Sequence, residues 1–160
     1  MKVLLAAIGR LKDSGERELF DRYAGRFDAA GRGVALGPLT VVDFPESRAA
    51  DAASRKAEEG QRLLKCASGA SAVIVLDETG TIESSADFAR RLAKLRDDGA
   101  ASIALLIGGP DGHGADVKTS ARTSLSLGRM TLPHGLARVV LAEQLYRAVT
   151  ILSGHPYHRA

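Results

Sequence analysis

Four short apolar runs mark the chain, at Val3–Ile8, Thr40–Phe44, Ala72–Leu76 and Ser102–Ile107. Each is rich in Val, Ile, Leu or Ala and is bounded by Gly, Asp or Pro. The runs are continuous rather than alternating. Strands covered on both faces read this way, so the pattern predicts a parallel sheet between helices. A fifth segment, Ser124–Leu132, alternates more and predicts a shorter strand.

Helical periodicity fills the intervals. Over Gly15–Phe27, Leu19, Tyr23 and Phe27 recur at steps of four. Arg48–Lys65 is polar, with Leu63 and Leu64 near its end. Ser84–Asp97 opens with a Ser-Ser-x-Asp cap signal and sets Phe88, Leu92 and Leu95 on one face. The last helix is expected to begin at Pro133, with Thr131 or Leu132 before it, and to carry Leu136, Val139, Val140, Leu145 and Val149 as an apolar stripe. Ser153-Gly154 ends it and His155-Pro156 blocks continuation. The alternation of strand and helix predicts an α/β fold, a mostly parallel sheet flanked by helices, in one domain over residues 1–160. The Gly-rich stretch Gly25–Gly37 is expected to be a surface loop.

Composition narrows the class. Apolar residues make up 45% and charged residues 26%, which suits a globular domain with a real core. No apolar run nears the roughly 20 residues that cross a bilayer, and the first run stops at Gly9, too soon for a secretory signal. The single cysteine, Cys66, allows no internal disulfide and is read as a packed thiol in a cytoplasmic protein. Net charge is +3, but it is unevenly spread. From Val117 onward six basic residues face one acid, Glu143, a net of +5, while the first 116 residues carry −2. A basic end suits a polyanion, although solvated arginines alone give the same count.

Several chemistries lose support because their motifs are absent. The chain has no P-loop, no G-x-G-x-x-G after its first strand and no G-x-S-x-G elbow. What it has is Leu106-Ile107-Gly108-Gly109-Pro110-Asp111-Gly112, glycines directly after a buried strand. Such glycines admit a ligand to the backbone, and ligands collect at the carboxyl ends of strands. A tight Pro-Asp-Gly turn explains the same residues. Asp77 and Glu78 follow another strand and are read as turn or helix caps rather than bases or metal ligands. His134, in the first turn of the last helix, is read as neutral and packed. The tail, His155-Pro156-Tyr157-His158-Arg159, lies beyond the helix stop yet holds groups that grip phosphate, stack on a base and move protons. His155 and His158 lack a third ligand nearby, so no metal is expected.

Together these segments resemble the bacterial ribosomal RNA large subunit methyltransferase H family, within the SPOUT class. The matching stretches are Leu76-Asp77-Glu78-x-Gly80, the glycine-rich run to Gly112, Leu125–His134, Ala137-Arg138-Val139, Glu143–Ala148 and the tail His155–Arg159. The family more often has Leu-Ser where this chain has His113-Gly114, and a second Ser at Gly128. The resemblance implies a C-terminal trefoil knot, which pattern reading alone would exclude, since knots are rare. It implies a homodimer with its active site at the interface, and S-adenosylmethionine as methyl donor. The donor would be held by Leu76, Gly108 and the run Leu127, Gly128, Arg129, Met130, Thr131 and Leu132. The implied reaction is N3-methylation of a pseudouridine in large-subunit ribosomal RNA, on the assembled ribosome or its subunit. His158 is then the candidate base or proton shuttle, Arg159 the phosphate or charge-stabilising group, and Tyr157 the ring that orients the uracil. The alternatives are a non-catalytic RNA-binding or ribosome-assembly factor of the same fold, or a nucleotide-binding module with another ligand.

Overall fold

The computed structural model describes residues 1–12 and 15–158. Along them run β1 (Lys2–Ile8), α1 (Gly15–Gly31), a 3-10 turn (Arg32–Val34), β2 (Leu39–Phe44), α2 (Ala52–Ala67), β3 (Ala72–Ile82), α3 (Ser85–Asp97), β4 (Ser102–Ile107), α4 (Ala115–Ser120), β5 (Thr123–Ser126) and α5 (His134–Ser153). The strands form one sheet in the order β2-β1-β4-β3-β5, and every neighbouring pair is parallel.

Side chains of a strand point alternately to the two faces. Here both faces are buried. Leu5, Ala7, Ile103, Leu105 and Ile107 pack with Phe20, Phe27, Phe88, Leu92, Leu141 and Leu145 of α1, α3 and α5. Ala6, Ile8, Ala104, Leu106 and Val75 pack with Leu63, Ala67 and Val117 of α2 and α4. This three-layer arrangement is why the strands read as continuous apolar runs. α5 is the helix most deeply enclosed, with Leu141, Ala142, Leu145, Ala148 and Val149 fully buried.

Two helix starts follow from local chemistry. Asp51 precedes α2 and accepts the Ser54 N–H at 2.8 Å. Ser84 precedes α3 and accepts the Asp87 N–H at 3.1 Å, as its cap signal predicts.

Three expectations need correction, and one helix was not predicted. Much of Gly25–Gly37 is helical, because α1 continues to Gly31. Each helical glycine costs about 1 kcal/mol against alanine, and the burial of Phe27 beneath the helix outweighs that. β3 runs to Ile82 rather than stopping at Leu76; its outer half is polar and so carries no apolar signature. β5 ends at Ser126, and Leu127–Leu132 is irregular, with Met130 83% exposed. α4 is one short helix with a single buried side chain, Val117, too little to show as a period.

Candidate functional site

The carboxyl ends of β3, β4 and β5 converge on an open cleft of about 400 Å³. Each wall is set by a break in regular structure. Along β3 the register slips between Leu76 and Thr81, both of which pair with Leu125, so residues 77–80 bulge at the cleft. Gly80 permits this: a Cβ there would stand 2.7 Å from the Leu125 carbonyl carbon. After β4 the chain turns through residues 108–112, closed by the Gly112 N–H donating to the Gly109 carbonyl at 2.9 Å. Gly112 has φ +78°, a conformation that favours glycine. The tight turn is thus realised, and it forms one wall of the cleft. After β5, the Ser126 hydroxyl donates to the Gly128 carbonyl at 2.9 Å and starts the loop that wraps the remaining side.

Leu76, Gly108, Leu127, Gly128, Met130, Thr131 and Leu132 all line the cleft, as do His134 and Ala137 at the start of α5. Arg129 is exposed and stands outside that lining. Among the described residues no group of three or more His, Cys, Asp or Glu is placed to hold a metal ion.

Several wall residues carry charge. Asp77 caps its own turn by accepting the Thr79 N–H at 2.9 Å, and it pairs with Lys118 of α4 at 2.7 Å. Burial would raise the Asp77 carboxyl, but Lys118 and Thr79 outweigh it and hold the group down to about 2. The acid therefore acts as a cap, as expected. On the other side, Arg55 of α2 binds Asp111 in the glycine-rich turn at 2.7 Å and keeps that carboxyl below its ordinary value. Glu59, one turn further along α2, accepts the Ser47 N–H at 2.8 Å and abuts Gly109, where a Cβ would meet Oε2 at 2.5 Å. His113 is buried behind Gly108, and burial pushes its imidazole down.

Arg138 is the largest buried side chain, 2% exposed. From α5 it donates to the Ile8 carbonyl at 2.9 Å, to the Gly9 carbonyl at 2.5 Å and to Asp43 at 2.8 Å, tying the start of α5 to the ends of β1 and β2. Arg55, Glu59 and Lys118 lie in amphipathic stretches that look like ordinary solvated helix. Of what they support, the Gly-rich turn for Arg55 and Glu59 and the β3 bulge for Lys118, only the turn is conspicuous in sequence.

The tail lies elsewhere. Tyr157 donates its hydroxyl to Glu143 at 3.0 Å, its ring centroid is 4.8 Å from that of Tyr146, and Arg147 sits over it at 4.9 Å. Burial, then Tyr23 and Glu143, raise its phenol. His158 is half-buried, its Nδ1 without a hydrogen-bond partner among the described residues. Arg159 lies outside the described residues. The described part of the tail, residues 155–158, is not part of the cleft lining; Tyr157 folds back along α5 onto Glu143 and Tyr146.

Comparison with known proteins matches residues 1–158 to the family model described as "Predicted SPOUT methyltransferase". The chain is 48% identical to the ribosomal RNA large subunit methyltransferase H of Brucella anthropi over 160 residues, all of both chains. It is 49% identical to the protein of that name in Xanthobacter autotrophicus, again over all of both chains. Among solved structures it resembles a probable methylase family protein from Haemophilus influenzae (TM-score 0.56, 14% identity, 99% of this chain and 70% of that one). It also resembles TrmJ from Z. mobilis (TM-score 0.50, 14% identity, 100% of this chain and 72% of that one). These structural likenesses concern the fold alone.

Proposed function

The chain belongs to the SPOUT methyltransferase family, and from that premise we propose that it transfers a methyl group from S-adenosylmethionine to N3 of a pseudouridine in large-subunit ribosomal RNA. One observation carries the reading. The glycine-edged segments after β3, β4 and β5 form a single cleft, and the cleft has room for a nucleoside-sized ligand.

The residues fit such a donor. Leu76, Leu127, Met130 and Leu132 supply apolar walls, and Gly108 and Gly128 bring backbone without side chains to the lining, where an adenine edge and a ribose would lie. Arg129 and Thr131 complete the donor loop. No metal is needed, because the bound donor supplies an already activated methyl on a sulfonium. The chain's own work is positioning and proton removal. His158 takes the N3 proton, directly or through water. Arg159 binds phosphate or charge developing on a base oxygen. Tyr157, seated on Tyr146, orients the tail and the uracil it meets.

The tail's place outside the cleft lining supports an active site shared between two copies, each tail serving its partner's cleft. Ile82, Met130 and Leu136 are exposed apolar side chains near the cleft, suited to a homodimer face. With few aromatics to read bases, the substrate is the assembled ribosome or its subunit, in the cytoplasm. No helix among the described residues is long and apolar enough to cross a membrane.

Arg159→Ala tests the assignment: methylation should be abolished while calorimetry shows donor binding intact. Equal loss of donor binding refutes the role of the tail. Mass mapping of ribosomal RNA from cells lacking the protein should show one missing methyl on a large-subunit pseudouridine, and an unchanged map refutes the function.

A further inference from the structure

His113 is the histidine carried into the interior, 7% exposed, and it lines the cleft. Its Cε1 lies 3.2 Å from where a Cβ on Gly108 would stand, so the ring packs directly against the first glycine of the turn. It faces the Leu76 and Leu106 backbone at the ends of β3 and β4. Its Nε2 has no hydrogen-bond partner among the described residues. A buried ring nitrogen without a partner is costly, and this one belongs to a ring in the wall of the cleft.

The charged groups around it are committed elsewhere. Asp77 of β3 and Lys118 of α4 bind each other. Asp111, in the turn itself, is held by Arg55 of α2. Glu59 of α2 accepts the Ser47 N–H. Lys56 of α2 and His134 of α5 also line the cleft, and neither is an anion. Glu78 of β3 also lines the cleft, but it is exposed to solvent, and among the described residues no carboxylate forms an ion pair with His113. A proton there would meet a bound sulfonium as a like charge in a partly desolvated site.

We infer that His113 governs donor recognition through its own neutrality: protonating it weakens binding of the cationic sulfonium donor more than binding of the uncharged thioether product. The inference rests on the donor cleft proposed above. By reciprocity, bound donor must oppose protonation of His113 by the same factor. Between about pH 5 and pH 7 the amino and carboxyl groups of donor and product keep the same charges, so the ratio of their affinities isolates the sulfonium.

The test is calorimetry of S-adenosylmethionine and S-adenosylhomocysteine on the full chain at pH 7 and pH 5, with His113→Leu and His113→Gln beside the unmodified protein. The donor-to-product affinity ratio should fall severalfold on acidification, within the roughly tenfold that one unit of proton coupling allows, and should stay flat in both variants. Proton NMR of the imidazole should show the His113 titration moving to lower pH when donor is bound. A ratio that falls equally in the variants overturns the inference, as does a His113 titration that donor leaves unmoved. Donor and product binding normally with a flat ratio in all three proteins overturns it while leaving the cleft assignment standing. If neither ligand binds at pH 7, the cleft assignment falls and this inference with it.

Discussion

Arg55 and Asp111 lie 56 residues apart in sequence and meet in a forked ion pair, Nε to Oδ2 at 2.7 Å and Nη2 to Oδ1 at 3.3 Å. The same guanidinium donates to the Ala49 carbonyl at 3.1 Å and the Ala50 carbonyl at 3.2 Å. One side chain therefore joins the approach to α2 to the glycine-rich turn after β4. Partly exposed ion pairs add little to global stability, so its effect belongs to the shape of the turn. Arg55→Ala should weaken donor binding about tenfold, with a melting temperature close to that of the unmodified protein. Arg55→Lys should recover little, because an ammonium cannot make the fork. Calorimetry beside a thermal melt separates the two effects.

Arg138 acts on stability instead. Its guanidinium is the shared donor to Asp43 and to the Ile8 and Gly9 carbonyls. Arg138→Met keeps bulk but leaves those acceptors without their donor. The expected cost is about 3 kcal/mol, read as a lowered urea midpoint at unchanged slope. A change under 1 kcal/mol would mean that water replaces the guanidinium easily.

Gly80→Ala tests the bulge in β3. The added methyl would stand 2.7 to 2.9 Å from backbone atoms of Ser124 and Leu125, which have no flexible end to swing aside. β5 must shift, at about 1–3 kcal/mol. Because Leu125, Ser126 and Leu127 line the cleft, donor affinity should fall with stability. Gly25→Ala, on the exposed side of α1 with open space at its Cβ, should leave both unharmed.

The sheet was legible because parallel strands buried on both faces produce unbroken apolar runs, and Val3–Ile8 and Ser102–Ile107 show nothing else. The outer half of β3 was not, because Asp77–Gly80 is polar and bulged, and pairing there is made by backbone. The turn after β4 was visible through its glycines. Arg55 and Glu59 of α2, which brace it, and Lys118 of α4, which binds Asp77 in the bulge of β3, were not, because a charge on an amphipathic helix looks the same whether it meets water or a turn distant in sequence. Sequence placed the tail and the cleft in one function. In the structure the described tail residues lie against Glu143 and Tyr146 of α5 and not in the cleft lining.

Asp77 gives the last prediction, and its sign follows from its partners. The carboxyl is held at about 2 in the folded chain, against about 3.8 when unfolded. A depressed carboxyl stabilises the folded state above its unfolded value and ceases to do so as pH falls through its folded value. The gain is therefore complete above about pH 5, declines from about pH 4 and is gone near pH 2. With the side chain 7% exposed, it amounts to roughly 2 kcal/mol. Asp77→Asn should cost about that much near pH 7, and the gap between the two proteins should close on acidification. Urea titrations at pH 7, 4 and 3 would follow it. A gap that stays constant with pH would mean that Asp77 matters for the shape of its turn and not for its charge. Lys118 would then be a bystander at the cleft rather than the partner that holds β3 and α4 together.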